Sequence, residues 1–204
     1  RPCGWCGSRS GRIGLLTSPP GNGARPTPPR DGQVPRAQEA QERLPRCYNP
    51  AMIWKPNVVV AAIVERDGKF LLVEEEADGL VVLNQPAGHL DEGETLIDAV
   101  IRETLEETAW HIEPQALLGV YRWQHPTQPV TYLRFAFIAR ALREESGRAL
   151  DHGCLRALWL TPEEIRTQRT RLRSPQVERC LDDYLAGTCY PLDLLKEYAP
   201  GPAR

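Results

Sequence analysis

The chain has 204 residues, 41% of them hydrophobic and 25% charged, with a net charge of −2. That length sets one globular domain with room for a tail as the expectation, and the near-neutral charge argues against nucleic acid as a stable partner. No run approaches the roughly 18 apolar residues of a membrane span, and the N-terminal part lacks the apolar centre of a signal peptide, so a cytoplasmic protein without membrane contact is expected.

The average conceals an asymmetry. Residues 1–51 hold eight Arg against three acids, a balance of +5 that leaves −7 for the remainder. Prolines stand at 19, 20, 26, 28, 29, 35, 45 and 50. No helical or strand period survives among them, which predicts a disordered leader over 1–51 and a folded domain over 52–204. Met52 is the only methionine and directly precedes the first strand pattern. Translation is expected to start there; residues found upstream of it by N-terminal sequencing of native protein would refute this. Cys3-Gly-Trp-Cys6 has the C-x-x-C spacing but follows no strand pattern and is read as incidental. Cys154, Cys180 and Cys189 are scattered singly and are expected to be reduced thiols.

From Asn57 the character changes. Val58 to Val64 is apolar and largely β-branched, Asp67-Gly68 is a hairpin turn signal, and Lys69 to Val73 returns as the partner strand. Leu80 to Leu83 predicts a third strand, and Gln85-Pro86-Ala87-Gly88 a loop. Thr95 to about Thr108 predicts a helix, with Thr95 as its cap and Asp98 completing a capping box. Ile97, Ile101, Thr104, Leu105 and Thr108 fall on one side of it, predicting a sheet-packed face with Glu103, Glu106 and Glu107 on the opposite one. Strands follow at about Leu117–Trp123, Thr131–Ala141 and Leu155–Leu160. Thr161-Pro162 and Ser174-Pro175 each open a further helix, the second running to about Leu185. Strands with an embedded helix and C-terminal helices predict a mixed α/β layer fold.

Glu103, Glu106 and Glu107 stand at i, i+3 and i+4, where three unpaired negative charges repel one another. A cluster of oxygen ligands suits a hard divalent cation, Mg²⁺ or Mn²⁺. A solvated acidic helix face is the plainer alternative for these three residues taken alone.

The wider spacing, Gly88-x5-Glu94-x7-Arg102-Glu103-Thr104-x-Glu106-Glu107-x-Ala109-Trp110, resembles the box of the Nudix hydrolase family. Two positions depart from that pattern: Thr104 stands where an aliphatic residue is usual, and Ala109 where a glycine closes the motif. The resemblance implies an α/β/α sandwich around a mixed sheet, and hydrolysis of a diphosphate with Mg²⁺ as cofactor, Mn²⁺ being a substitute. It implies metal ligation by Glu103, Glu106, Glu107 and the backbone carbonyl of Ala87, with Glu103 or Glu106 as general base. Arg102 is expected to orient a glutamate through a bidentate pair. Gly88 and Glu94 support the box, although Glu94 can also be read as a solvated acid at a helix N-terminus.

Segments outside the box, Trp54-Lys55-Pro56-Asn57-Val58, Leu83 to Leu90, Leu172-Arg173-Ser174-Pro175 and Tyr190-Pro191-Leu192, are similar to a phosphatase branch of the same family. That likeness implies release of terminal phosphate from thiamine diphosphate, hydroxymethylpyrimidine diphosphate and nucleoside di- and triphosphates, by a monomer or homodimer. Candidate substrate contacts are His89, Trp123, Arg134 and Arg173, with Gln124 and His125 beside Trp123 and Asp151 as an extra carboxylate. The alternatives are an ADP-ribose-type pyrophosphatase, for which Pro126 is the one hint, and a non-catalytic nucleotide-binding module of the same fold.

Overall fold

The computed structural model describes residues 54–198. The expected leader, Met52 and the Cys3–Cys6 pair lie outside these residues. The first hairpin forms as expected. Strands β1 (Asn57–Arg66) and β2 (Lys69–Ala77) are joined by Asp67 and Gly68, both at positive φ, 54° and 76°. Two positive φ values are what a two-residue turn needs to match the strand twist. Asp78-Gly79 repeats the device, at 51° and 76°, between β2 and β3 (Leu80–Asn84).

The segment expected to be a loop holds a three-residue strand, β4 (Ala87–His89), antiparallel to β1. Three residues are too few for a period of two to show in the sequence. Helix α1 (Leu96–Thr108) follows, then β5 (Trp110–Gln124), β6 (Thr131–Glu144) and β7 (Cys154–Leu160). Helix α2 (Pro162–Thr167) and helix α3 (Pro175–Leu185) close the order, with 3-10 turns at Arg169–Arg171 and Leu192–Leu194.

The seven strands form one mixed sheet in the order β3-β2-β1-β6-β5, with β4 paired to β1 and β7 to β2. The pairing of β1 with β6 is parallel, Val60 opposite Phe135, while the other ladders are antiparallel. Alternation along β1 gives the sheet two apolar faces. Val60, Ala62 and Val64 pack with Ala99 and Val100 of α1, whereas Ile63 packs with Cys180 and Leu181 of α3. Helices therefore cover both faces, which is the α/β/α sandwich that the sequence led us to expect. No helix among the described residues is long and apolar enough to cross a membrane.

The orientation of α1 corrects the expected one. Its buried residues are Ala99, Val100, Glu103, Thr104, Glu107 and Thr108, while Ile97, Ile101 and Leu105 are only half-buried. Glu103 and Glu107 thus lie on the sheet-facing side rather than opposite it. Hydrophobic periodicity located the stripe about a quarter of a turn away, because two of its buried positions are carboxylates, Glu107 held by the Ala87 N–H and Glu103 by Arg102 of its own helix. The N-cap also differs in detail. Thr95 Oγ1 accepts the Asp98 N–H, but the Asp98 carboxylate takes the Thr95 hydroxyl rather than its backbone N–H, so only half of a capping box forms.

Candidate active site

Glu103 and Glu107 meet the sheet at β4. Ala87 sits opposite Ala61 of β1, while Ala62 N–H bonds the Pro86 carbonyl and Leu90 N–H the Val58 carbonyl. Ala87 is therefore at a non-hydrogen-bonded position, and its own N–H and carbonyl turn away from β1, toward α1. The N–H donates to Glu107 Oε2 at 2.8 Å, and the carbonyl expected to be a metal ligand faces the same side. At the next residue the fit is tighter: a Cβ on Gly88 would lie 2.1 Å from the Glu103 carboxyl carbon. A side chain at 88 would require that carboxylate, the far end of a flexible side chain, to move away.

Arg102 ties the glutamates to the loop before the helix. Its Nε and Nη2 donate to the two oxygens of Glu94, each at 2.8 Å, and Nη1 donates to Glu103 at 2.8 Å and Glu106 at 3.1 Å. Nη2 also reaches the His89 carbonyl at 3.1 Å. The bidentate partner is thus Glu94, and one planar guanidinium fixes three carboxylates and a backbone oxygen at once. Glu94 is not a free acid at the helix start: its pairing with Arg102 holds its carboxyl below the ordinary value.

Among the described residues Glu107, Glu75 and Asp151 make no such hydrogen bond to an arginine. Burial pushes the Glu107 carboxyl up to about 8, and Glu75, Glu103 and Asp151 add to the shift by repulsion. Burial likewise raises Glu103, against the lowering effect of Arg102. Glu75 Oε1 is buried without a hydrogen-bond partner. Asp151 is brought in by its N–H, which donates to the Glu106 carbonyl at 2.9 Å. Glu75 was not anticipated from sequence; the run Glu74-Glu75-Glu76 inside an otherwise buried strand was the available signal. Glu74 faces the other way, onto Arg156 and Arg171.

Several oxygen donors with surplus negative charge fit a hard divalent cation. Among the described residues no three carboxylate, imidazole or thiol groups clasp one ion by themselves.

A cleft of about 400 Å³ begins at Ala87, Gly88 and His89 and runs over the α3 face of the sheet. His89, Trp123, His125, Arg134 and Arg173, separated by up to 84 positions in the chain, all line it. Gln124 and Pro126 do not line it. The Trp123 and Tyr132 rings stack at 5.8 Å and 18° along its wall. His125 Nδ1 accepts the Thr127 and Gln128 N–H groups, so that nitrogen holds the turn. Arg134 is not a surface ion pair: it is buried, and it donates to Gln85 Oε1 at 3.0 Å and Asn84 Oδ1 at 3.3 Å.

The two departures from the box are absorbed locally. Thr104 is buried and its hydroxyl donates to the Val100 carbonyl at 2.7 Å, so no polar atom is stranded. Ala109 adopts the left-handed conformation, φ 60°, that ends the helix.

Comparison with known proteins agrees with this geometry. Residues 54–180 match the family model described as the NUDIX domain. The chain is 38% identical over 148 residues to the phosphatase NudJ of Escherichia coli, spanning 72% of this chain and 94% of that protein. The NudJ phosphatase of Shigella flexneri is similar to the same extent. Among solved structures, a NUDIX hydrolase from Nitrosomonas europaea superposes with a TM-score of 0.69 at 48% identity, covering 71% of this chain and 98% of that one.

Proposed function

Since this chain belongs to the Nudix family and is a hydrolase of phosphorus-containing acid anhydrides, we propose that it is a Mg²⁺-dependent phosphohydrolase releasing terminal phosphate from small diphosphates. Thiamine diphosphate, hydroxymethylpyrimidine diphosphate and nucleoside di- and triphosphates are the proposed substrates, met in the cytoplasm by residues 52–204. The observation that carries the reading is the juncture at β4. Glu107 is bonded to Ala87 and Glu103 is seated against Gly88, the two residues at which the substrate cleft begins. Attack at a terminal phosphorus rests on the likeness to the NudJ phosphatases.

Glu103, Glu106, Glu107 and the Ala87 carbonyl are the proposed ligands, with no three of the glutamates on a single ion and water and substrate oxygens completing the coordination. Mg²⁺, when bound, neutralises diphosphate charge and acidifies the attacking water. The chain's residues do the rest. Glu103 is the proposed general base, because its carboxylate is seated against Gly88, a residue that lines the cleft, whereas that of Glu106 is 36% exposed. Arg102 holds Glu103 by one oxygen, Oε1, and so positions the other. His89 and Arg173 line the cleft and would hydrogen-bond phosphate oxygens, Arg173 adding its charge.

The test is phosphate release from a panel of diphosphates with Mg²⁺ and with a chelator. Inorganic phosphate as product supports the reading. Two phosphorylated products would replace it with a pyrophosphatase, and binding without turnover would replace it with a nucleotide-binding module.

A further inference from the structure

The cleft runs farther than a bare diphosphate does. Gly88 shares a row of the sheet with Val60, Phe135 and Val120, one residue on each of β4, β1, β6 and β5. Three strand spacings, roughly 14 Å of sheet, therefore separate the glutamate juncture from β5. Trp123 lies beyond that row on β5, and His125 follows it in the turn that leads to β6. Both line the cleft. With the phosphates at the glutamates, what these two side chains meet is the group that the diphosphate carries.

His125 has one ring nitrogen occupied and one open. Nδ1 accepts the Thr127 N–H at 3.3 Å and the Gln128 N–H at 3.1 Å. A ring nitrogen that accepts amide hydrogens carries none itself, so the neutral imidazole has its hydrogen on Nε2. The ring meets Trp123 edge-on, with centroids 5.3 Å apart, and Trp123 is itself stacked on Tyr132. Hydrogen bonds and packing thus fix both the tautomer and the direction of the ring. His125 is half-buried, and its Nε2 makes no hydrogen bond among the described residues and stays open to solvent.

Resting on the function proposed above, we propose that His125 is a specificity-determining residue whose Nε2–H donates to an acceptor atom on the organic group of the substrate, at the β5 end of the cleft. The turn makes it a donor of fixed direction, so little ordering remains to be done on binding. A substrate too short to reach β5 gains nothing from it.

The test separates the two nitrogens. In His125→Asn the amide oxygen takes the place of Nδ1 and holds the turn, but no distal donor remains. In His125→Gln the amide nitrogen takes the place of Nε2, but the turn loses its acceptor. Phosphate release with Mg²⁺ is compared on uridine diphosphate, which carries acceptors far from its phosphates, and on methyl diphosphate, which ends short of β5. His125→Asn is expected to keep the wild-type thermal midpoint and to lower the kcat/KM preference for uridine diphosphate about 5-fold, through KM, by the loss of one hydrogen bond. His125→Gln is expected to retain most of the preference while its midpoint falls. A preference unchanged in His125→Asn, whether from no loss or from equal loss on both compounds, would overturn the subsite. So would a preference that follows the midpoint rather than the distal donor across the two variants. Phosphate release from neither compound by wild-type protein would refute the proposed function alone. Calorimetric titration with uridine diphosphate would then decide the subsite, weaker binding by His125→Asn supporting it and equal binding overturning it.

Discussion

The carboxylate of Glu103 occupies the space that a side chain at position 88 would need, with the nearest approach to a Gly88 Cβ at 2.1 Å. Gly88→Ala must therefore push the helix, or the carboxylate, off β4. Because the obstacle is the far end of a flexible side chain, the stability loss is expected at or below the low end for overpacking, about 1 kcal/mol. Activity should fall about 10²-fold, the usual consequence of moving a catalytic group by an ångström. Urea titration and steady-state phosphate release measure the two. A Gly88→Ala variant with wild-type kcat would show that Glu103 need not stay where it is.

Arg102→Lys keeps the charge but loses the planar fork. One ammonium cannot serve both oxygens of Glu94 together with Glu103 and Glu106. The expected result is a 10- to 100-fold drop in kcat/KM, on the order seen when residues that orient metal ligands are changed. Restoration of activity by high Mg²⁺ would indicate that the residue acts through ligand placement, and no effect of the substitution would remove it from the site.

Magnesium should raise the thermal midpoint of the wild-type protein, because a cation relieves repulsion between Glu107, Glu75, Glu103 and Asp151. Glu107→Gln should shift less with Mg²⁺ and lose most of its activity. A midpoint indifferent to Mg²⁺ in the wild-type protein would count against the metal assignment.

Ala109 closes α1 at φ 60°, a left-handed conformation in which an alanine is strained. Ala109→Gly relieves this and is expected to stabilise the protein by about 1 kcal/mol. Its amide still donates to the Leu105 carbonyl at 2.9 Å, so the helix end is kept. Comparison of denaturant midpoints decides it, with destabilisation as the contrary result.

Glu74 bridges Arg156 at 2.7 Å and Arg171 at 2.6 Å. Its hydrogen bonds to the two arginines hold its carboxyl below the ordinary 4.5. A depressed folded-state value gives stability that is present above the unfolded value and lost as pH falls through the folded one. Wild-type protein should therefore exceed Glu74→Gln in urea midpoint at pH 7, with the gap closing below about pH 4. A gap independent of pH would assign the loss to packing instead of charge.

Much of the fold was legible because it rests on local chemistry. Asp67-Gly68 specified a turn that both residues make at positive φ. Ser174-Pro175 opened α3 where it begins, and its expected end near Leu185 is the observed one. The short strand β4 was not legible, since three residues carry no period and its pairing partner lies 26 to 30 positions upstream. The buried face of α1 was misplaced because apolar residues were counted as inward and glutamates as outward. Glu107 is inward for a reason outside its own helix, the Ala87 N–H across the packing surface.

By itself the sequence determined the spacing of Gly88, Glu94, Arg102 and the glutamates, and with it the family and the class of chemistry. Such spacing survives as a pattern because residues within one helix and its leading loop keep their relative positions. The tertiary structure alone decided what surrounds that motif. Glu75 and Asp151 come from β2 and the loop before β7, while Arg134, Trp123 and Ser174 reach one cleft from β6, β5 and the start of α3. Their meeting depends on strand order and on which face each side chain takes, and a one-residue change of register would send Glu75, Arg134 or Trp123 to the other side of the sheet.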